Sequence, residues 1–434
     1  MNSDILIVGC GCSGLYCALQ LPENMKITII TKSEAELSDS FLAQGGMCML
    51  QDGSDYDSYF HDTMRAGHYE NDTASVDIMI KSSQKVVDDL VNYGVRFQRD
   101  NKGNLLFTRE GGHSKNRIVF HKDITGKEIT SKLLEQVRQR PNITLYEHTA
   151  LIDIITRDNT CFGAVVKNQD GQLICVYAKY TVLATGGIGG LFLRSTNYRH
   201  LTGDAIAIAI KHGVKLKNIN YIQIHPTTFY SAEDNDRCFL ISESVRGEGA
   251  KLYDKNMNRF VDELLPRDQL TAAIYAQMEK DNTQFVWEDL RPIPIQELQS
   301  HFPNIVAHCS KMGYDVTKEC IPVVPAQHYF MGGIEVNHQS LTSMRRLYAI
   351  GETACNGVHG KNRLASNSLL ESLVFAGRAA KDMSDNADNL QLSDTHKPID
   401  LSVYSDSAAL QDSYRRLIKY ELTEAGGDTK ITIL

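Results

Sequence analysis

No stretch of this 434-residue sequence stays apolar for the roughly 20 residues that a membrane-spanning helix needs, so no membrane span is expected. A basic excess is also missing. The 45 lysines and arginines are outnumbered by 53 aspartates and glutamates, giving a net charge of -8 and a pI near 6.0, which argues against nucleic acid or an anionic membrane surface as a partner. The first apolar run begins at Ile5, leaving no room for a signal peptide, and a cytoplasmic location is expected. Ten cysteines are scattered without a CxxC pair, which predicts reduced thiols and neither disulfides, a metal centre nor an iron–sulfur cluster. Asn71-Asp72-Thr73 and Asn142-Ile143-Thr144 fit the glycosylation pattern but mean nothing in a chain that is not secreted. What is present is ample apolar material: 42% hydrophobic residues in a chain longer than one typical domain predict a globular protein of two or three units.

The chain opens with Ile5-Leu6-Ile7-Val8, then Gly9-Cys10-Gly11-Cys12-Ser13-Gly14, then a helical run from Leu15 to Leu21 that stops at Pro22. A strand, a glycine turn and a helix in this order let backbone amides approach a pyrophosphate where any Cβ would collide. One GxGxxG is weak evidence; its N-terminal place and the second strand Ile27 to Ile30 make it a dinucleotide signal. The acid expected after that second strand is replaced by Thr31-Lys32. A lysine there fits a phosphate-rich cofactor, and a solvated surface lysine fits equally well. A second buried strand, Thr181-Val182-Leu183-Ala184, runs into Thr185-Gly186-Gly187, and a third glycine turn is Ile350-Gly351-Glu352. Two strand ends under one dinucleotide plus the Gly351-Glu352 turn imply FAD rather than NAD.

That turn is followed by Asn362-Arg363-Leu364-Ala365-Ser366-Asn367-Ser368-Leu369-Leu370-Glu371, the start of an apolar helix. Helix starts hold anions, and an arginine one turn upstream suits a site that binds an electron-rich ring and a carboxylate together. The plainer reading is an ordinary N-capped helix.

In order along the chain stand GCGCSG, SFLAQGG, TREGGHS, LATGG, HPT, ESVRGEG, PRD, AQHYFMGG, AIGE and NRLASNSLLE. Over residues 4 to 385 this series resembles the flavoprotein family of succinate dehydrogenase and fumarate reductase, and within it the L-aspartate oxidase branch. The resemblance implies an α/β fold: a Rossmann-like, glutathione-reductase-type FAD-binding domain with a β-meander (1–217 and 330–385), an inserted α+β capping domain (218–329) and a short helical C-terminal remnant (386–434). It implies that FAD is held by Gly9, Cys10, Gly11, Cys12, Ser13, Gly14, Lys32, Asp39, Ser40, Phe41, Leu42, Ala43, Gln44, Gly45, Gly46, Thr185, Gly186, Asp204, Glu352, Ser368 and Leu369. Membrane-bound relatives carry a histidine before AQGG that bonds FAD covalently. Ser38-Asp39-Ser40-Phe41-Leu42 has none, so noncovalent FAD is expected.

By the same resemblance His225, Ser242, His328, Arg363 and Ser366 hold the carboxylates of a four-carbon diacid, and Arg267 transfers a proton. A guanidinium scarcely deprotonates in water, so Arg267 needs a relay; Glu243 and Arg246, spaced i and i+3, match it, although a surface ion pair has the same spacing. Glu110, in Thr108-Arg109-Glu110-Gly111-Gly112-His113, is a candidate partner for the α-ammonium of aspartate; succinate has no such group. The implied reaction is oxidation of L-aspartate to iminoaspartate by hydride transfer from Cα to flavin N5, the proton leaving from the amine or Cβ. Oxygen, giving peroxide, or fumarate, giving succinate, then reoxidises the flavin. Iminoaspartate would feed quinolinate synthase on the route to NAD. The rivals are a soluble fumarate reductase and a flavoprotein subunit that carries electrons without its own turnover.

Periodicity predicts a helix over 75–93 ending at Gly94, short strands over 143–177 with a hairpin turn at Asp170-Gly171, a linker over 384–389 and a helix near 408–422.

Overall fold

The computed structural model describes residues 1–232, 237–387 and 399–426. Its central sheet grows from the first strand. Asn2–Val8 lies parallel to Ile27–Ile30 on one side and to Leu173–Leu183 on the other, with Ile5 opposite Ile27 and Ile7 opposite Val182. Both faces are covered, which is why residues 5–8 and 182–184 are apolar without a break rather than alternating with polar residues. Ile5 and Ile7 pack into one apolar cluster with the helices Cys12–Gln20, Thr73–Asn92 and Asn367–Asn386. Leu6 and Val8 pack into a second cluster with the helix Asp204–Lys211.

Ile143–Tyr146, expected within the meander, instead pairs parallel with Ile27–Ile30 at the edge of the main sheet. It follows the helix Thr125–Gln139, and a helical crossover delivers its next strand parallel. The antiparallel meander is Ala150–Arg157, Thr160–Lys167 and Leu173–Leu183. Its second turn is the expected one: Gly171 has φ +79° and Asn168 Oδ1 accepts from the Asp170 and Gln172 amides.

Between Ile222 and Phe330 the chain builds a four-stranded antiparallel sheet, in the order Ile222–Phe229, Ile321–Phe330, Val286–Asp289, Lys251–Tyr253. Phe229, Leu252, Leu270, Ile274, Ile305 and Val323 belong to an apolar cluster of its own beneath this sheet. One carboxylate ties the layer to the main body: Asp123 accepts from the Asn304 and Ile305 amides at the start of the helix Pro303–Lys311, and from Asn304 Nδ2.

The helix Asn367–Asn386 continues three residues into the stretch expected as a linker, because Met383 and Ala387 still bury apolar surface. Residues 388 and 389 of that stretch lie outside the described residues. The C-terminal helix is Ser407–Glu424. Its Tyr414, Ile418 and Leu422 enter the second cluster, and Tyr414 Oη donates to the Ile152 carbonyl at 2.8 Å. Among the described residues no helix is long and apolar enough to cross a membrane.

Candidate active site

A cavity of about 1790 Å³, solvent-open space included, runs from the first glycine turn to the ends of the Ile222–Phe229 and Ile321–Phe330 strands. At one end the backbone forms a cradle. Gly9 has φ +112°, and a Cβ there would lie 2.0 Å from the Ala184 carbonyl oxygen, so only glycine allows the two strand ends to meet. The helix Cys12–Gln20 begins at Gly11 without a side-chain cap, leaving early amides toward the cavity. The Cys12 amide donates to Ser40 Oγ at 3.0 Å. The thiols of Cys10 and Cys12 are buried and pushed up to about 11 by that burial.

Acids and amides wait along the wall. Glu352 Oε1 accepts from the Phe330 amide at 2.8 Å, and burial, with Asp39 nearby, pushes Glu352 up to about 8. Asp39 Oδ1 accepts from the Tyr198 amide, while Asp39 Oδ2 and Gln44 Oε1 are buried without a hydrogen-bond partner. Burial pushes Asp39 up to about 7. Buried polar atoms that lack protein partners beside a large cavity call for a polar partner from within it. Together with the glycine cradle and the uncapped helix, they fit a dinucleotide.

Of the expected cofactor residues, Gly9, Cys10, Gly11, Cys12, Ser13, Lys32, Asp39, Ser40, Leu42, Ala43, Gln44, Gly45, Gly46, Thr185, Gly186, Asp204, Glu352, Ser368 and Leu369 line the cavity. Two are not among its lining residues. Gly14 sits a turn into its helix, where a Cβ would lie 2.2 Å from the Gly9 carbonyl oxygen; it is a packing glycine. Phe41 packs against the apolar cluster, since successive residues of the one-turn helix Asp39–Leu42 face different ways. Lys32 lines the cavity, and its ammonium meets the His200 carbonyl, Thr202 Oγ1 and, at 2.8 Å, Asp204 Oδ2.

The other end gathers the expected substrate residues from five separate segments. Arg267 Nε donates to Glu243 Oε2 at 2.6 Å, with both side chains buried. Burial alone would raise Glu243; Arg267 and Arg246 hold it below the usual carboxylate range. Arg363 donates to Ser368 Oγ at 2.6 Å and stacks 4.4 Å over the Tyr329 ring. Burial and the charge of Arg267 bring it down to about 10. His225 and His328 pack edge to face at 5.1 Å, and burial together with Arg267 drives both far below the ordinary histidine range. They are neutral. His225 Nε2 is buried without a partner, its Nδ1 being engaged by Thr227.

Glu110 accepts from Ser244 Oγ on Oε1 and from Ser366 Oγ on Oε2, each at 2.6 Å. Burial first and Glu243 second raise its pKa. Ser366 adopts φ +60° and does not cap its helix; this costs a non-glycine residue strain and turns its hydroxyl to Glu110. Ser242 lines the cavity, but its hydroxyl donates to Ser244 Oγ at 3.2 Å rather than standing free.

Arg246 departs from expectation. It is buried but not among the cavity-lining residues. Its Nη1 donates to the Glu263 carbonyl at 2.7 Å, and among the described residues no hydrogen bond or ion pair joins it to Glu243. The helix Glu243–Gly247 turns Glu243 to Arg267 and Arg246 toward Glu263.

Pattern reading passes over two residues. Gln223 Oε1 accepts from Arg267 Nη1 at 2.9 Å and from Arg363 Nε at 3.2 Å, while its Nε2 donates to Asn362 Oδ1 and the Arg363 carbonyl, both at 2.8 Å. Its place two residues before His225 on one strand is a signal that alternation offers. The other is Ser244, whose only mark is that it follows Glu243.

A family profile described as FAD binding domain matches residues 4–369. L-aspartate oxidase of Clostridium perfringens is 48% identical over 434 residues, covering 99% of this chain and 98% of that protein. L-aspartate oxidase of Neisseria meningitidis is 39% identical and covers 96% of this chain. The chain belongs to the L-aspartate oxidase family. Among solved structures, E. coli quinol fumarate reductase superposes with a TM-score of 0.84 at 29% identity, covering 95% of this chain and 74% of that one. As a member of the L-aspartate oxidase family, within the FAD-binding flavoproteins, this chain is an oxidoreductase with FAD as its cofactor.

Proposed function

We propose that this protein oxidises L-aspartate to iminoaspartate, with oxygen or fumarate as the final electron acceptor. The observation that carries this reading is Glu110: a carboxylate held by hydroxyls alone, in the same buried pocket as Arg267 and Arg363. Two guanidinium groups suit a dicarboxylate; an added anion suits only a dicarboxylate that also bears an ammonium.

FAD, when bound, supplies the hydride acceptor. It would be held noncovalently by the cradle of Gly9 to Ser13, by Ser40 to Gly46 and by Glu352, beneath a cap formed by residues 218–329. Arg267 and Arg363 each give one arm to the amide of Gln223 and other arms to Glu243 and Ser368, so Nη2 of each is left to grip a substrate carboxylate. His225 Nδ1 lies 3.0 Å from the Thr227 carbonyl oxygen and 3.2 Å from the Thr227 amide, and its partnerless Nε2 would donate to the same dianion in the tautomer whose Nδ1 accepts that amide. Glu110 receives the α-ammonium. Glu243, among the described residues the one carboxylate in direct contact with the Arg267 guanidinium, takes or returns a proton at Arg267 Nε. Glu110, His225, Arg267 and Arg363 are themselves buried, which strengthens each of these charge contacts.

Iminoaspartate would pass to quinolinate synthase, placing the reaction on the route to NAD. The ten cysteines, all free thiols and mostly buried, suit a reducing compartment such as the cytoplasm.

Anaerobic titration of the holoenzyme tests the reading. L-aspartate is expected to bleach the flavin absorbance and succinate to leave it nearly unchanged. Bleaching by succinate alone would favour a soluble fumarate reductase, and bleaching by neither would favour an electron-carrying subunit.

A further inference from the structure

Among the described residues no salt bridge reaches Glu110, although it is only 4% exposed. Its charge rests on two hydroxyls whose protons have fixed directions. The Gly46 amide donates to Ser366 Oγ at 3.2 Å, so the Ser366 proton is turned to Glu110 Oε2. Ser242 donates to Ser244 Oγ at 3.2 Å, so the Ser244 proton is turned to Oε1. A Cβ on Gly45 would lie 2.5 Å from Oε1, so the carboxylate fits against bare backbone with little room to swing. Ser244 also follows Glu243, and consecutive helical residues point about 100° apart. One short helix thus sends Glu243 to Arg267 and Ser244 to Glu110.

We propose that Ser244 is a positioning residue that sets the preference for an amino dicarboxylate over a plain one, by fixing the Glu110 carboxylate where it receives the substrate ammonium. This rests on the reading of Glu110 given above. Without the Ser244 hydroxyl, Oε1 would be a buried acceptor with no partner, near the like charge of Glu243. Such an oxygen recovers a partner by taking up a proton or by turning away, and either change removes the anion that an ammonium seeks. A dicarboxylate without an ammonium loses nothing by that change.

The test uses wild-type, Ser244→Ala and Ser244→Thr holoenzymes, with flavin content and melting temperature measured for each. Steady-state kinetics with L-aspartate are followed across pH, and succinate binding is read from the flavin spectrum. Ser244→Ala is expected to raise KM for L-aspartate about tenfold, the scale of one hydrogen bond to a charged group. The acid limb of kcat/KM moves to higher pH, and succinate affinity does not fall with it. Ser244→Thr, which keeps the hydroxyl, restores both. Should Ser244→Ala lose its flavin, Ser244→Cys is read for the same ratio of aspartate to succinate affinity. An unchanged ratio with an unchanged acid limb, or a threonine variant that behaves like alanine, overturns the proposal. A wild-type enzyme that cannot oxidise L-aspartate sinks the functional reading itself, whereas aspartate oxidation with an indifferent Ser244 sinks only this inference.

Discussion

Replacing Gln223 by leucine keeps the volume and removes every polar contact of the residue. Its Oε1 is the shared acceptor for Arg267 and Arg363 at 2.9 and 3.2 Å, in a place only 3% exposed. Hydrogen bonds to charged groups contribute roughly 1.5–3 kcal/mol each. With two lost and some recovery by reorientation, transition-state binding weakens by about 3 kcal/mol, or about a hundredfold in kcat/KM. On the proposed reading both arginines grip carboxylates, so oxidation of L-aspartate and reduction of fumarate should fall together. Flavin content should hold, because Gln223 is not among the cavity-lining residues. The assay is steady-state kinetics in both directions, normalised to bound flavin. Loss of less than about threefold in both would refute the idea that one amide holds the two guanidinium groups in place.

Arg267→Leu should leave flavin bound yet lower turnover by at least about a hundredfold, the usual scale of a proton-transferring group; near-normal turnover removes it from the mechanism. His113 is buried against Arg117 and the Ala365 carbonyl, and burial brings it down to about 4. Because the fold favours its neutral form, its stability contribution is full above pH 6.5 and is lost as pH falls toward 4, a change of about 3 kcal/mol. The stability advantage of wild type over His113→Gln, measured by urea unfolding, should shrink across that window; a constant difference contradicts the assignment. Acid precipitation should release yellow flavin into the supernatant, and colour retained in the pellet would show a covalent bond.

The cofactor end was legible because its demands are local. Gly9 and Gly11 follow an apolar strand and precede a helix, and no other residue fits where the Gly9 Cβ would strike Ala184. The substrate end was legible by motif but not by partner. Ser244 meets Glu110 across 134 residues and Lys32 meets Asp204 across 172, and no local pattern states which distant side chain will neutralise a charge. Helical spacing placed Glu243 and Arg246 within reach of one relay; the path of the residues 262–267 decided that Arg246 turns to the Glu263 carbonyl instead. The composition of Ile143–Tyr146 marks a strand but not its sheet position, since its neighbour Ile27–Ile30 lies more than a hundred residues earlier.

Glu110→Gln decides the central claim, that a buried anion beside two arginines selects an amino diacid. The measurement is kcat/KM for L-aspartate oxidation and for fumarate reduction in the wild type and the variant. Aspartate oxidation is predicted to drop by about a hundredfold or more while fumarate reduction stays level or improves. Equal losses in both reactions would contradict it.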